Sequence, residues 1–200
     1  MTLINPEPDN LFKGKYRIES TRLKSWNYAN SGYYSVTICV KNRECLLGCI
    51  ENDSVILSDI GEIAKKSWID IPHHYPFVVL DEYVIMPNHI HGIVIIDKNE
   101  KTIVETLHAT SLRDIPNSAL FSRISPKYGS LSSVIRSFKS AVTKLVNNKF
   151  PEHFFLWQTR FYDSIIRNDK ELLNIRNYII NNPLQWNLDE ENPDLYIQPC

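Results

Sequence analysis

The stretch that decides the fold is FVVLDEYVIMPNHIHGIVII, residues 77–96. Two runs rich in β-branched and aromatic residues are separated only by Pro87-Asn88, which is typical of two strands joined by a tight hairpin. Because side chains alternate between the two faces of a strand, His89 and His91 are predicted to share one face. Their Cβ atoms would lie roughly 6–7 Å apart, so both imidazoles can reach one divalent ion.

The histidine pair is a weak pattern by itself, and two histidines near a core remain the alternative. A metal site with two neutral ligands needs a third oxygen or nitrogen donor from another part of the chain. Such an open site suits Mg²⁺ or Mn²⁺ when a substrate phosphate completes the coordination shell. Gly92, beside the pair, would let another backbone or a ligand approach this strand closely.

Further strands and helices are predicted on both sides of the hairpin from residue type and hydrophobic periodicity. The predicted strands are 33–40, 45–50 and 154–166, and the predicted helices are 58–70, 131–146 and about 169–181. Ser58 is the predicted N-cap of the first helix, Asn168 or Asp169 caps the last one, and Asn182-Pro183 ends it. Neighbouring strands in this order predict an α+β fold, a central antiparallel sheet with helices packed on it.

The helix at 131–146 is amphipathic, with a predicted buried stripe and cationic residues beside it. The stripe consists of Leu131, Val134, Ile135, Phe138, Ala141, Val142 and Leu145, and the cations off the stripe are Arg136, Lys139 and Lys144.

Three regions are predicted along the chain: an N-terminal basic arm (1–31), one domain (32–188) and an acidic tail (189–200). Residues 97–129 lack clear periodicity and are predicted to be a mobile insertion in the domain. The N-terminus has no signal-peptide pattern, and no run approaches the ~20 apolar residues of a membrane span, so a cytoplasmic protein without a membrane partner is expected. The cysteines form no CxxC pair and are expected to be reduced.

The net charge of −1 hides an uneven distribution of charge. No acidic residue lies between Asp114 and Glu152, and the arm contributes Arg17, Arg22 and Lys24. Such segregation can produce a basic face that binds nucleic acid. A solvated helix face together with an acidic tail explains the same pattern, and charge alone does not decide between them.

The last predicted helix offers a nucleophile and a third ligand. Tyr178 and Asn182 are four residues apart, so they lie on the same side of the helix at the border of its buried stripe. A phenol is a competent nucleophile toward phosphorus, and an asparagine carbonyl oxygen can bind a metal. Alternatively, Tyr178 is a boundary aromatic and Asn182 a helix cap. Tyr162 is the rival nucleophile, and His73-His74 is expected in a loop.

The segments LDEYVIMPNHIHGIVII (80–96) and LWQTRFYDSIIRNDKELLNIRNYIINNPLQW (156–186) resemble the single-tyrosine HUH transposases, and among these most closely the REP-associated tyrosine transposases. TRLKSWNYANSGYYSVTICVKNRECLLG (21–48) extends the resemblance to about residues 17–190. The family's histidine signature falls on His89-Ile90-His91. The pairing of MPNHIH with YIINNP at this separation is much more specific than either piece.

The resemblance implies a ferredoxin-like or RRM-like HUH endonuclease fold that cleaves single-stranded DNA near hairpin or REP-like sequences. It places the nucleophile on Tyr178, which would form a 5′-phosphotyrosine, and the Mg²⁺ or Mn²⁺ ligands on His89, His91 and Asn182. The cations of the long helix and of the arm would hold the DNA backbone. The relatives include dimers and monomers, so a monomer or a homodimer is expected, associated with the nucleoid through DNA.

Two other functions fit the same residues. A non-catalytic nucleic-acid binder on an RRM-like sheet predicts exposed aromatic residues, for which Tyr33, Tyr34 and Phe77 are candidates. A metal-dependent hydrolase would use water in place of tyrosine and would need a carboxylate base near the histidines. Asp81 and Glu82 are the nearest in sequence, at the far end of the adjoining strand.

Overall fold

The computed structural model describes residues 26–98, 128–189 and 191–193. Arg17, Arg22 and Lys24 of the predicted basic arm lie outside the described residues, as does most of the predicted insertion at 97–129.

The strands are β1 (Gly32–Cys39), β2 (Gly48–Glu51), β3 (Ser54–Leu57), β4 (Val78–Ile85), β5 (His89–Ile96) and β6 (Tyr162–Ile166). Four of them form a central antiparallel sheet in the order β4-β5-β1-β6, while β2 and β3 pair with each other in a separate hairpin. The helices are α1 (Asp59–Ile69), α2 (Ile71–His74), α3 (Leu131–Lys149) and α4 (Asp169–Asn181), with 3₁₀ turns at Lys41–Arg43, Pro151–His153 and Pro183–Leu188.

The sheet order is that of a ferredoxin-like fold. Strand β1 is central, and the chain passes through α1 to the β4–β5 hairpin and through α3 to the edge strand β6. The predicted α+β fold with a central antiparallel sheet and packed helices is therefore confirmed. None of the helices in the described ranges has both the length and the hydropathy that a membrane-spanning segment needs.

The main hydrophobic core lies between one face of the sheet and helices α1 and α3. Trp68 of α1 is fully buried and packs edge-on against Phe138 of α3, with ring centroids 5.3 Å apart. Gly92 faces this core, because a Cβ there would lie 2.5 Å from Trp68 Cζ2. The glycine therefore admits a tryptophan ring, and the expectation that it opens the strand to a ligand was wrong.

Helix α4 covers the other face of the sheet. It packs through a small separate cluster in which Ile179 meets Ile93 of β5 and Ile166 of β6. In the middle of β4, at the register shift between Leu80 and Tyr83, Arg176 Nε and Nη2 donate to the two carboxylate oxygens of Asp81 at 3.0 and 2.5 Å. A few apolar contacts and one bidentate ion pair thus hold α4 against β4 and β5.

The secondary structure differs from the predictions at three places. Strand β3 was not predicted, and β2 pairs with it, not with β1. Of the predicted strand at 154–166, only Tyr162–Ile166 is a strand of the sheet, and Trp157 makes an isolated bridge with Val40. On α3, Leu145 is half exposed and Ala141 is exposed, because only the narrower stripe around Val142 and Val146 meets the core.

Candidate active site and metal centre

His89 and His91 lie side by side on the face of β5 that α4 covers. Their ring centroids are 4.5 Å apart, and both side chains are buried. His91 lines a cleft of about 520 Å³ at the end of this face, together with residues of β1, α4 and the chain after α4. Strand alternation alone accounts for the shared face of the two rings.

Hydrogen bonds to neighbouring side chains fix the orientation of each imidazole. Asn88 Nδ2 donates to the carbonyl oxygens of Arg43 and Glu191 at 3.0 and 2.6 Å, so its Oδ1 accepts from His89 Nδ1 at 2.8 Å. A neutral His89 protonated at Nδ1 keeps the lone pair of Nε2 for a ligand. Asn88, which the hairpin signal placed in the turn, therefore also sets the tautomer of His89.

Tyr178 reaches the histidines from α4. Its hydroxyl oxygen lies 3.2 Å from His91 Nε2, and the other ring nitrogen of His91 lies 2.8 Å from Thr37 Oγ1. With Nδ1–H donating to Thr37, His91 Nε2 accepts a hydrogen bond from the tyrosine hydroxyl. Tyr178 is 49% exposed, so its hydroxyl is held at the site while the ring borders the open cleft.

Asn182 and Asp189 bring further oxygen atoms to the histidines. Asn182, one turn after Tyr178, is buried and donates from Nδ2 to Asp189 Oδ2 at 3.3 Å. Asp189 follows the 3₁₀ turn at Pro183–Leu188, and a carboxylate oxygen of it lies within 4.8 Å of ring nitrogens of both histidines. Sequence reasoning missed Asp189 because it was grouped with the acidic tail, although Asp189, Glu191 and Asn192 all make contacts at this end of the sheet.

Both imidazoles are held in the neutral form. Burial lowers the pKa of His89 well below its usual range, and the neighbouring His91 lowers it further, while Asn182 acts in the opposite direction. Burial lowers the pKa of His91 to about 4, with Asp189 partly opposing the effect. At neutral pH the two rings therefore present lone pairs and no positive charge.

The donor set fits a divalent cation. His89 Nε2 and Asn182 Oδ1 are buried and have no hydrogen-bond partner among the described residues. Burying two such atoms unsatisfied is costly, and both are acceptors that a cation satisfies. Two neutral imidazoles, an amide oxygen and the Asp189 carboxylate form a mixed nitrogen and oxygen set that could hold such an ion.

The other predicted residues are placed as follows. Arg136 and Lys144 are exposed on α3, whereas Lys139 Nζ donates to the carbonyl oxygen of Gln158 at 2.6 Å. Tyr162, the rival nucleophile, is 57% exposed and lines the same cleft as Tyr178.

Two further groups of residues bear on the alternatives. His73 and His74 lie in and at the end of the short helix α2, and both pair with Asp70 at the surface. Arg43, which sequence reasoning did not select, lines the cleft and pairs with Glu191 through Nε at 3.0 Å.

Comparison with known proteins adds to this geometry, although no family model matches the chain. A Haemophilus influenzae protein named "Uncharacterized protein" is 40% identical over 183 residues, which cover 88% of this chain and 94% of that protein. A second H. influenzae protein, named "Putative REP-associated tyrosine transposase", is 25% identical over 159 residues, which cover 80% of this chain and 74% of that protein. The chain belongs to the same family as the first of these proteins.

Among solved structures, that of a REP-associated tyrosine transposase bound to a REP hairpin matches with a TM-score of 0.53 at 20% identity. The match covers 84% of this chain and 74% of that one, and it shows a shared fold. Together with the sequence similarity, it confirms the resemblance to the REP-associated tyrosine transposases.

Proposed function

Because the chain resembles the REP-associated tyrosine transposases and shares their fold, we propose that it is a transposase-like enzyme that cleaves and rejoins single-stranded DNA. Tyr178 is the proposed nucleophile, and the substrate is a strand with a hairpin or REP-like sequence. The observation that supports this most directly is the 3.2 Å contact between the Tyr178 hydroxyl and His91 Nε2, beside the unpartnered acceptor atoms of His89 and Asn182.

The chemistry proposed for Tyr178 is a transesterification. The phenol oxygen attacks the scissile phosphorus, an O–P bond forms to the tyrosine, and the bond from phosphorus to the 3′ oxygen breaks. The phenol loses its proton and the leaving 3′ oxygen gains one, which gives a 5′-phosphotyrosine and a free 3′-OH. Because the phosphodiester bond energy is retained, attack by a 3′-OH reverses the step and joins strands.

The residues around Tyr178 have separate tasks in this proposal. Without a metal, the hydrogen bond to His91 Nε2 holds the Tyr178 hydroxyl beside the histidines. An ion on His91 would take that lone pair, and α4 would then hold the hydroxyl at the rim of the cleft, where a phosphate can approach in line. His89, His91, Asn182 and Asp189 would hold the divalent ion, Mg²⁺ or Mn²⁺. When bound, that ion supplies Lewis-acid polarisation of the phosphate and offsets charge in the transition state.

One observation favours a second candidate function, a metal-dependent hydrolase. Such an enzyme needs a carboxylate base near the histidines, and Asp189 provides one, whereas Asp81, in the middle of β4, is paired with Arg176. A hydrolase activates water and forms no covalent link to the protein. The binder alternative has less support, because Tyr34 and Phe77 are buried and only Tyr33 of its three aromatic candidates is exposed.

A covalent-adduct experiment tests the proposal. Single-stranded hairpin oligonucleotides from the flanks of the gene, labelled at the 5′ or the 3′ end, are incubated with the protein and Mn²⁺ or Mg²⁺ and run on denaturing gels. We expect the label 3′ of the cut to move with the protein, and we expect Tyr178→Phe or a chelator to abolish the shift. Tyr162→Phe is the matched control, since it removes a hydroxyl from the same cleft and should leave the adduct intact.

The other outcomes identify the alternatives. Loss of the adduct in Tyr162→Phe alone would identify Tyr162 of β6 as the nucleophile. Cleavage without any adduct would favour the hydrolase. Binding without cleavage would favour a non-catalytic protein.

A further inference from the structure

Two cavities extend the cleft along the protein surface. The first, of about 540 Å³, is lined by residues 41–43 and by Trp157, Gln158 and Thr159. The second, of about 470 Å³, lies on the other side of residues 157–159, against the C-terminal half of α3. Arg43 lines both the first cavity and the cleft of Tyr178, and residues 157–159 border both added cavities, so the three spaces follow one another along the surface. We call the surface formed by these two added cavities the basic track.

The basic track is lined by cations and by no acidic residue. Lys41 and Arg43 line the first cavity, and Lys139 and Lys144 line the second, while the remaining lining residues of both are polar or apolar. For a chain of net charge −1 this is a local concentration of positive charge. A surface of this kind attracts a polyanion, and its attraction falls as salt is added.

Two of these cations are available to a ligand. The side chains of Lys41 and Lys144 are exposed and make no ion pair or hydrogen bond with the described part of the chain. Arg43, in contrast, pairs with Glu191, and Lys139 is used internally. Lys41 and Lys144 are therefore the groups expected to contact phosphates, one in each cavity.

The wall between the two cavities is fixed from both sides. Lys139 Nζ donates to the carbonyl oxygens of Gln158 and Thr159 at 2.6 and 3.4 Å, which ties the wall to α3. On the other side, the Lys41 N–H donates to Leu156 O at 2.9 Å, and the Gln158 N–H donates to Cys39 O at 2.9 Å. The track is thus a preformed surface, which reduces the conformational entropy lost when a strand binds.

The turn that leads from the cleft into the track is strained. Asn42 and Arg43 both have φ near 58°, a left-handed backbone conformation that residues other than glycine adopt at a cost. Asn88, which orients His89, also holds this turn through its bond to Arg43 O. The same side chain therefore links the geometry of the metal centre to the entrance of the track.

We propose that the basic track binds the backbone of the single-stranded DNA that runs away from the scissile phosphate. Lys41 contacts the phosphates nearer the cut, and Lys144 contacts those farther along. This inference rests on the proposed function, because it takes the strand at Tyr178 as its starting point. It gives Lys139 the role of a positioning residue for the wall, in place of the direct phosphate contact that the sequence suggested.

The test measures binding without cleavage, in protein that carries Tyr178→Phe. Fluorescence anisotropy gives the affinity for labelled oligo(dT) strands of increasing length over a range of salt concentrations. Each lost phosphate contact lowers the slope of log K against log salt by about 0.7 for a single strand. We expect that reduction for Lys41→Ala on short and long strands, and for Lys144→Ala only on strands long enough to reach the second cavity.

Lys66→Ala is the matched control, since Lys66 is exposed on α1 and lines none of these cavities. Unchanged slopes for Lys41→Ala and Lys144→Ala, or an equal reduction for Lys66→Ala, would refute the proposal that the basic track binds DNA. Equal reductions on blunt duplex DNA would refute the proposal that the bound DNA is single-stranded.

The result is separable from the adduct experiment. If an adduct forms at Tyr178 but the slopes are unchanged, the proposed chemistry is supported and DNA binding by the basic track is refuted. If the slopes are reduced but no adduct forms, DNA binding by the basic track is supported and the proposed chemistry is refuted.

Discussion

Acidification is expected to destabilise the metal-free protein through its buried histidines. The pKa of His91 is depressed to about 4 in the folded chain by burial, against about 6.5 in the unfolded chain. A depressed histidine pKa means that the unfolded state binds the proton more tightly, so stability is complete above about pH 6.5 and is lost as the pH falls toward 4. The difference corresponds to about 3 kcal/mol in total, of which about 2 kcal/mol is lost by pH 5. His89 acts in the same direction.

Urea unfolding at pH 7.5 and pH 5.0, in the presence of a chelator, measures this effect. The quantity compared is the change in the free energy of unfolding between the two pH values within each protein, so the intrinsic cost of a substitution cancels. For His91→Gln we expect that change to be smaller than in the unaltered protein by about 2 kcal/mol. His73→Gln is the matched control, because the His73 side chain is 79% exposed. An unaltered pH dependence in His91→Gln would refute the reasoning.

Three further predictions concern stability, metal binding and the position of the nucleophile. Gly92→Ala should lower the free energy of unfolding by about 1–3 kcal/mol, measured by urea denaturation, because the added methyl group meets the buried Trp68 ring. Asp189→Asn should weaken Mn²⁺ binding by roughly 10-fold or more in calorimetry, and an unchanged affinity would place this carboxylate outside the metal centre. Arg176→Met should slow adduct formation at Tyr178 without weakening oligo(dT) binding, because the substitution releases α4 from Asp81. If the variant forms the adduct as fast as the unaltered protein, the ion pair does not position Tyr178.

Local patterns predicted the parts of the structure that depend on local interactions. The hairpin of β4 and β5 follows from two β-branched runs around Pro87-Asn88, and Ile85 pairs with Ile90 as a tight turn requires. Ser58 and Asn168 cap α1 and α4, since their side chains accept hydrogen bonds from the residues three positions later. In each case the signal and the structure it specifies lie within a few residues of each other.

Side chains that reach the cleft from distant, irregular segments were not predictable in this way. Arg43 enters through a strained turn after β1, and Asp189 enters after a 3₁₀ turn that follows α4. Neither segment has a periodicity from which a direction could be inferred. Lys139 is a residue whose charge was predictive of the wrong partner. Its charge predicted a contact with the DNA backbone, whereas in the structure its Nζ donates to three backbone carbonyl oxygens. Charge along a helix shows which faces are polar, but the partner depends on the tertiary fold.

The candidate site joins two parts of the molecule that are held with different strength. His89 and His91 belong to β5, which is paired on both sides and packed on the main core. Tyr178 belongs to α4 and Asn182 is the C-cap of that helix, and within Asp169–Asn181 only Ile179 has a buried side chain. The distance between the Tyr178 hydroxyl and His91 therefore depends on few contacts, chiefly the Ile179 cluster, the Arg176–Asp81 pair and the bond from Asn182 to Asp189. Because elements with few buried contacts open most readily, α4 is the part of the site whose position substrate and metal can most easily change.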